Sequence, residues 1–519
     1  MLEGCPVLGW AASGGMALTG QADGAPVASP APAFGLLSMV VAELAAATRA
    51  TGVEVRADPG ELVAGRAALS GFSRRGRVSA GGSARLLRAA DGWCAINLSR
   101  ADDIAAVPAI IGALGLAGQV GMTGGAGLAE RGDGPGADGV WGALEAAAVG
   151  TRAELLAGAA QLLGVPAAAL PSARPAAAGL RSGRRVAGPG SARPVTGLGS
   201  ALPAAEPSGS ARGGGWPAGR ASRIAAPSAG ARLAGAVVVD LSSMWAGPLC
   251  ARLLGLAGAD VIKVETPGRP DGARAGQRRF FDWLHGGHRS VALDFRSESG
   301  RRALGGLIAA ADVVIEASRP RALAQLGLAP ELIPHREGQV WLSITGYGRG
   351  DPAASELVAF GDDAAVAGGL VGWTGAGLGD GRDGGGGDGG GPDGGGPDGG
   401  GGDWGGGEPV FCADAIADPL TGVCGALAVA RSVAGGGGEL IDLSMRDVAT
   451  VFAAAAAVDH GPHSVRLVGA GGAEAIVTCA ALGLEQAVLP PRSPMVAGPA
   501  AGLGADTGAV LAGLGTGAP

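Results

Sequence analysis

Aromatic side chains are scarce in this chain of 519 residues, at 3% of the total. The hydrophobic fraction of 47% therefore consists largely of small side chains. The length still exceeds that of one ordinary domain and predicts roughly two to four folded units with linkers. Because 102 residues are glycine, part of the chain is expected to be unstructured.

Dense runs of basic residues are also missing. The 39 lysines and arginines and the 46 acidic residues give a net charge of −7, so binding to nucleic acid is not predicted. Local arginines and helix N-termini can still hold an anionic ligand.

The six cysteines form no C-x-x-C pair, which argues against a zinc ribbon and a disulfide scaffold. A cytoplasmic location fits this pattern best. The N-terminus lacks the regions of a signal peptide. The longest uncharged stretch, 105–128, is interrupted by glycines and Pro108, so no membrane span is predicted.

Several well-known catalytic signatures are absent. The sequence has no Walker A loop, no G-x-S-x-G, no H-E-x-x-H, and no G-x-G-x-x-G at the first strand-to-helix turn of the C-terminal half. The five histidines show no metal-ligand spacing, so no metal site is predicted.

Composition divides the chain into three regions. Residues 1–165 include a helical pattern at 36–50 and a strand pattern at 93–98, which indicates a folded segment. Residues 166–226 are dominated by Ala, Pro, Gly, Ser and Arg, which predicts a disordered interdomain linker. Residues 227–519 form the third region, and a run of Gly, Asp and Pro at 376–407 predicts a mobile loop within it.

In the third region apolar strands and helices alternate. The predicted strands are AGAVVVDLS, DVIKVE, RSVALDF, DVVIEAS, QVWLSITGYG and ELIDLSM, and the intervening helices include PLCARLLGLAGA and GRRALGGLIAAA. This order is typical of an α/β fold with an open, doubly wound parallel sheet. Ligands of such sheets bind at the carboxyl ends of the strands.

A weak internal repeat links the two ends of the chain. Residues 13–27 resemble 368–375 followed by 407–410. Eight residues after the final valine of each copy stand Gly35 in the first and Asp418 in the second. The first segment is therefore interpreted as a truncated tandem copy, with a carboxylate only in the second copy.

Asp418 precedes Pro419, and this local pattern favours a helix N-cap. The same position also suits a nucleophile, because a helix N-terminus stabilises an ionised carboxylate and offers N–H groups to an oxyanion. Five charged residues lie near predicted strand ends: Lys263, Glu265, Arg289, Arg296 and Arg319. Each is interpreted as a solvated charge, with a phosphate ligand as the alternative.

Several segments, taken in order, resemble the class III CoA-transferases, a family that includes formyl-CoA and carnitine-CoA transferases and 2-methylacyl-CoA racemases. These segments, found within about 233–455, are LAGAVVVDLS, LGLAGADVIKVETPG, GGHRSVALDFRSESGR, ADVVIEASRPRALAQLGL, SITGYGRGDP, ADPLTG and GGGGELIDLSM. The segments 76–98 and 490–515 also resemble parts of the family.

The resemblance implies a Rossmann-like large domain with a parallel sheet, a smaller α/β domain, and an interlocked homodimer. It implies acyl-CoA and carboxylate substrates without a metal, and it makes Asp418 the catalytic nucleophile. The matching CoA-binding positions are Met244, Leu293, Arg296 and Arg319.

This sequence departs from the family pattern in three ways. The small-domain segment precedes the nucleophile, the usual E-N-F-R-P reads Glu316 to Pro320 as EASRP, and Phe360 stands where racemases have a histidine base. The missing base favours CoA transfer over racemisation. A racemase or isomerase, or an inactive CoA-binding member of the family, is the alternative.

Overall fold

The computed structural model describes residues 5–116, 135–173, 219–374, 407–455, 462–469 and 474–515. Most of the predicted linker and all but Gly407 of the predicted glycine-rich loop lie outside these residues. Within them, the fold consists of a main body, which contains the first and last described elements, and a smaller α/β unit.

Three helices begin the main body: α1 (Pro6–Ala12), α2 (Ala31–Thr51) and α3 (Pro59–Ser70). Helix α3 starts where Asp58 accepts hydrogen bonds from the backbone of Gly60 and Glu61, and it ends at Gly71 with φ 70°. Apolar residues of these helices share one core with residues from Leu233 onward. This segment was predicted to be part of a separate region, and it belongs to the main core because its apolar faces are buried there.

Helix α2 is long and apolar enough to cross a membrane by length and composition. In this fold, however, Leu37, Val40 and Leu44 are fully buried in the main core. Its apolar face therefore has a partner within the protein.

The smaller unit follows. Its elements are β1 (Ala84–Ala89), β2 (Gly92–Asn97), α4 (Ala101–Ala113), α5 (Pro135–Val149), α6 (Ala153–Leu162) and β3 (Ala167–Ala169). The three strands form an antiparallel sheet, and the unit has a core of its own. Strand β3 lies within the range predicted as linker, where its pairing with β2 compensates the cost of ordering the chain.

The large sheet has seven strands. The elements from β4 to α11 are β4 (Arg220–Arg223), β5 (Val237–Asp240), α7 (Ala246–Leu256), β6 (Asp260–Glu265), α8 (Arg278–His285), β7 (Arg289–Ala292), α9 (Glu298–Ala310), β8 (Val313–Glu316), α10 (Pro320–Gln325), β9 (Val340–Thr345) and α11 (Gly361–Ala367). They are followed by β10 (Gly372–Trp373), β11 (Pro409–Val410), α12 (Ala417–Ala434), β12 (Glu439–Ser444) and α13 (Met445–Ala453).

The strand order of this sheet is β4-β12-β9-β8-β5-β6-β7. All pairs are parallel except the edge pair of β4 with β12. The predicted α/β fold with an open parallel sheet is therefore confirmed. Strand β4 begins at Arg220, so the second end of the predicted linker also pairs with the sheet.

The chain ends with β13 (His463–Val468), β14 (Glu474–Cys479), β15 (Leu484–Ala487) and α14 (Thr507–Gly515). The three strands form an antiparallel sheet. Helix α14 packs against β7 and α9, and Asp506 accepts a hydrogen bond from the backbone of Ser290 at 2.7 Å.

Candidate functional site

Asp418 lies in the first turn of α12, but it is not the N-cap. That position belongs to Ile416, and Asp418 is the second residue of the helix. The backbone N–H of Asp418 already donates to the carbonyl of Ala415 at 2.9 Å, so the helical turn begins before Pro419. The prediction that Asp418 is the N-cap of α12 is therefore wrong, and the Asp418 side chain makes other contacts.

The N-termini of three helices meet at the Asp418 carboxyl group. The backbone N–H groups of Ala246 in α7 and Gly361 in α11 hydrogen-bond to it and lower its pKa, and its own helix is the third. Helix N-termini carry partial positive charge and favour anions. A side chain at Gly361 would collide with Oδ2 of Asp418, so only glycine permits this approach.

Two further carboxyl groups accompany Asp418. Asp414 and Asp362 are buried, and Asp362 accepts a hydrogen bond from the backbone of Ala415 at 3.1 Å. Burial and the charge of Asp414 together raise the pKa of Asp418 to about 7, against the lowering effects of Arg66 and the two backbone N–H groups. Burial, with the charges of Asp414 and Asp418, also raises the pKa of Asp362 to about 7. Both groups therefore titrate near neutral pH, although Asp418 is only half-buried.

The cation of this cluster comes from the N-terminal segment. Arg66 in α3 forms an ion pair with Asp414 at 3.3 Å. Its guanidinium group also stacks over the rings of Phe72, Trp245 and Phe280, at 5.5, 5.2 and 5.6 Å from their centroids. The aromatic rings thus hold the guanidinium in place beside the carboxylates. Asp362, Asp414, Asp418 and Arg66 are called the Asp418 cluster below.

Three residues near the Asp418 cluster adopt a left-handed backbone conformation without being glycine. Met244 precedes α7 with φ 73°, and Ala413 and Ala415 flank Asp414 with φ 53° and 42°. Such conformations cost free energy and concentrate at functional sites. The loops that carry the Asp418 cluster are therefore held in a strained shape by the surrounding structure.

A second cluster of buried charges lies at the carboxyl ends of β5 and β6. Lys263, the single lysine of the chain, is 1% exposed and forms ion pairs with Asp271 at 3.0 Å and Asp240 at 3.6 Å. Glu265 pairs with Arg274 at 2.6 Å. The interpretation of Lys263 and Glu265 as solvated charges is therefore wrong, because the parallel sheet buries both faces of β6. Lys263, Asp240 and Asp271 are called the Lys263 cluster.

The Lys263 cluster fixes the loop that leads to α7. The nitrogen of Lys263 donates to the carbonyl of Ser242, and Asp271 accepts from the backbone of Met244 at 3.0 Å. Burial would lower the pKa of Lys263, but the carboxylates of Asp240, Asp271 and Glu265 raise it. The lysine thus stays charged and ties the loop to the segment after β6.

Each of the four predicted CoA-binding residues follows a strand of the large sheet. All four lie near the same segment, which consists of the end of β6 and the loop after it. Leu293 donates its N–H to the carbonyl of Glu265 at 2.9 Å. The sulfur of Met244 lies close to Gly272, and the guanidinium of Arg296 lies close to Gly268. Burial and the charges of Arg321, Arg100 and Arg269 lower the pKa of Arg319, and Glu356 raises it, so several arginines lie around Arg319.

These four residues differ in exposure. Met244 is 41% exposed, Arg296 is exposed and Arg319 is half-buried, which leaves all three accessible to a ligand. Leu293 is buried, at 6% exposure. Arg289, which was interpreted as a solvated charge, forms a partly exposed ion pair with Asp260.

Two residues in segments that depart from the family pattern have defined structural neighbours: Glu316, which itself matches the pattern, and Phe360, which does not. Glu316 is buried and pairs with Arg349 at 2.8 Å, so it supports the sheet. Phe360 is the N-cap of α11 and immediately precedes Gly361 and Asp362. It therefore adjoins the Asp418 cluster, as its predicted correspondence to a catalytic base requires.

A cavity of about 300 Å³ opens near the carboxyl ends of β9 and β12, with Tyr347, Asp442 and Arg446 in its wall. Its lining includes neither Asp418 nor the four predicted CoA-binding residues. This cavity is therefore separate from the candidate site.

Arg66, Asp362 and Asp414 were missed by sequence reasoning. Asp362 and Asp414 lie close to motifs that were recognised, and their clustering with Asp418 within 56 residues was an available signal. Arg66 carried none, because 348 residues separate it from Asp414.

Comparisons with known proteins place the similarity of this chain in its central and C-terminal part. A family model described as CoA-transferase family III matches residues 233–479. An acyl-CoA transferase of Fusarium pseudograminearum is 32% identical over 136 residues, which cover 23% of this chain and 30% of the relative. A succinyl-CoA–D-citramalate CoA-transferase of Chloroflexus aurantiacus is 32% identical over 146 residues, covering 27% and 36%. A formyl-CoA:oxalate CoA-transferase of Rhodopseudomonas palustris is 36% identical over 127 residues, covering 23% and 30%.

The matches thus span about a third of the length of these curated relatives. Among solved structures, a CAIB/BAIF family protein from Brucella suis is 29% identical, over 43% of this chain and 55% of the other, with a TM-score of 0.32. The family model and the sequence matches together show that residues 233–479 are similar to CoA-transferase family III.

Proposed function

We propose that this protein transfers CoA from an acyl-CoA donor to a carboxylate acceptor through a thioester on Asp418. The observation that carries this proposal is the Asp418 carboxyl group at the meeting point of three helix N-termini. The CoA-transferases among its relatives support the reaction class.

The reaction begins with an attack of the Asp418 carboxylate on the thioester carbonyl of the donor. This step forms a mixed anhydride and releases CoA as a thiolate. The thiolate then attacks the Asp418 carbonyl, which releases the donor acid and leaves an aspartyl-CoA thioester. The acceptor carboxylate repeats both steps in reverse, so no net proton, electron or phosphate is consumed.

The residues around Asp418 suit this chemistry. The N–H groups of Ala246 and Gly361 stabilise the carboxylate and can stabilise an oxyanion on the same atoms. Arg66 lowers the pKa of Asp418, and burial raises it to about 7. A carboxylate that ionises near neutral pH is a stronger nucleophile than an ordinary one and is available at pH above 7.

The CoA moiety is proposed to bind along the carboxyl ends of the large sheet. Arg296 and Arg319 would contact its phosphate groups, and Met244 and Leu293 would contact its apolar parts. Two observations support this proposed CoA site. The four residues all lie near the loop after β6, and several arginines lie around Arg319. A cytoplasmic location and an interlocked homodimer complete this proposal.

The test is a CoA-exchange assay with a panel of acyl-CoA donors and carboxylate acceptors, run on the wild type and on Asp418→Asn. We expect the substitution to reduce exchange by about 10³-fold or more, because the amide cannot act as the nucleophile. A matched control is Asp102→Asn, an exposed aspartate in the first turn of α4, which should exchange CoA at the wild-type rate. Equal activity of Asp418→Asn and the wild type would refute the proposal, and mass spectrometry after hydroxylamine treatment should locate the thioester at Asp418.

Proton transfer at the α-carbon of a 2-methylacyl-CoA is the second candidate reaction. Asp362 favours it, because this residue supplies another titratable carboxyl group beside Asp418. Exchange of the α-proton for solvent deuterium, without CoA transfer, would identify this reaction. A protein that does neither would be an inactive CoA-binding member of the family.

A further inference from the structure

Two cysteines and a histidine from the two ends of the described chain come together outside the Asp418 cluster. The sulfur atoms of Cys5 and Cys479 and one ring nitrogen of His463 all lie within 4.8 Å of one another. The Cys5 sulfur is 2.9 Å from Nε2 of His463. Both cysteines are buried, and His463 is half-buried.

The fold explains why these three side chains converge. His463 and Cys479 are directly opposite each other in the antiparallel pair of β13 and β14, so their side chains point to the same face of the sheet. Cys5 is the residue before α1, and α1 packs against β14 and β15. A backbone hydrogen bond of 2.9 Å from Leu489 to Ala11 fixes that packing.

We propose that Cys5, His463 and Cys479 form a zinc-binding site. Two thiolates and one imidazole are ligands that Zn²⁺ prefers, and a tetrahedral zinc centre separates its sulfur ligands by about 3.8 Å, given Zn–S bonds of about 2.3 Å. The observed spacing within 4.8 Å needs only small side-chain adjustments to reach that geometry. Harder ions such as Mg²⁺ and Ca²⁺ bind oxygen ligands and do not match these donors.

The charges of the site also favour a divalent ion. Zn²⁺ binds cysteine side chains as thiolates, and a centre of one divalent cation and two thiolates would be neutral. A neutral centre costs less to bury than isolated thiolates.

Water would complete the coordination. Among the residues that the structure describes, the group of possible ligands contains these three residues only. His463 is the least buried of them, so the fourth position would open on its side. The site would clamp the N-terminal segment to the C-terminal sheet, and it is independent of the proposed reaction at Asp418.

The experiment is a titration of the full-length, chelator-treated and reduced protein with Co²⁺ and then Zn²⁺. Tetrahedral cobalt bound to thiolates gives a sulfur-to-cobalt charge-transfer band and intense visible bands. We expect one Co²⁺ per chain, displacement by Zn²⁺, and a higher melting temperature with Zn²⁺. Absence of these bands in the reduced wild type would overturn the proposal.

Substitutions of the proposed ligands test whether the metal binds at this site. Cys479→Ser and His463→Gln should each weaken Co²⁺ binding by at least about tenfold, because each removes one ligand. Cys94→Ser is the matched control, since Cys94 is buried in the core of the smaller unit, and it should bind Co²⁺ as the wild type does. Equal binding by all variants would contradict the site. A Cys5–Cys479 disulfide that persists in the reduced sample and prevents metal binding would also contradict it, and peptide mass spectrometry would detect that bond.

Discussion

The Asp418 cluster and the Lys263 cluster both bury aspartates, but they differ in how the charges are balanced. In the Lys263 cluster one lysine contacts two carboxylates, and its positive charge lowers the pKa of Asp271 against the effect of burial. In the Asp418 cluster three carboxyl groups share one arginine, and burial raises the pKa of both Asp362 and Asp418 to about 7.

This difference separates a structural role from a chemical one. In the Lys263 cluster the lysine and backbone N–H groups hold the pKa of Asp271 below its usual range, so its carboxylate fixes the backbone around it, whereas burial raises the pKa of Asp240. In the Asp418 cluster two carboxyl groups have pKa values of about 7, so the ionised form of one can react near neutral pH. Arg66, the cation whose charge lowers the pKa of Asp418, is itself engaged with Asp414 and three aromatic rings.

Lys263→Met should give the largest effect on stability. It leaves Asp240 and Asp271 buried without a cation, and the loss of one partner of a buried pair costs about 3–5 kcal/mol. The measurement is the urea midpoint of unfolding at pH 7. Arg289→Met is the control, because Arg289 forms a more exposed ion pair with Asp260 and its loss should cost less than about 1 kcal/mol. Similar shifts for the two variants would show that Lys263 does not hold the Lys263 cluster together.

Gly361→Ala should give the next largest effect, on activity. The new methyl group would collide with Oδ2 of Asp418 and the carbonyl of Ala415, so the carboxyl group must move and CoA exchange should fall by about 10²-fold. The assay is kcat for CoA exchange, with circular dichroism to verify the fold. Gly142→Ala is the control, since a methyl group there meets no atom within 4 Å. An unchanged kcat in Gly361→Ala would contradict the packing described for Asp418.

Arg66→Gln should change the pH dependence of activity. Arg66 lowers the pKa of Asp418, so its removal raises that pKa above about 7 and reduces the ionised fraction at neutral pH. We expect the rising limb of kcat/KM against pH to move to higher pH. Activity at pH 7 should fall about tenfold for each pH unit by which the limb moves. Activity should recover in a more basic buffer. Arg66→Lys keeps the positive charge and should retain the wild-type limb. A limb that does not move would exclude an electrostatic role for Arg66.

Asp414→Asn should give the smallest effect, of opposite sign. Asp414 raises the pKa of Asp418 and of Asp362, so its neutralisation lowers both and moves the rising limb to lower pH. The gain in activity is expected to be a few-fold below pH 7 and small above it, because Asp418 is already ionised there. The same pH series measures it. A shift in the same direction as Arg66→Gln would contradict the charge arrangement of the Asp418 cluster.

Local patterns predicted most of the large sheet. The β-branched runs ending at Asp240, Glu265 and Glu316 form the strands β5, β6 and β8, and the glycine turn after Ala434 separates α12 from β12 as expected. These elements depend on side chains near in sequence, so their signals survive without tertiary contacts. The parallel direction of the strands was predicted from the alternation of strands and helices along the chain.

The cation of the Asp418 cluster, the surroundings of Lys263 and the N-cap of α12 could not be predicted in this way. Arg66 and Asp414 meet only after the chain has folded, and nothing near Arg66 in the sequence marks it. Lys263 resembles any strand-end lysine until both sheet faces are covered. The Asp-Pro pattern at 418 suits an N-cap, but the contacts of Ala246 and Gly361 hold the side chain elsewhere. Tertiary contacts decided each of these outcomes.

The long separation between Arg66 and its partners bears on how the protein is made. A ribosome completes α3 before it has synthesised the 348 residues that lead to Asp414. Until α12 emerges, α2 lacks a helix against which it packs in the main core, and such non-local contacts form slowly. We therefore expect nascent chains to require chaperone protection, and a shortened chain that starts at residue 227 to aggregate because its main core lacks three helices.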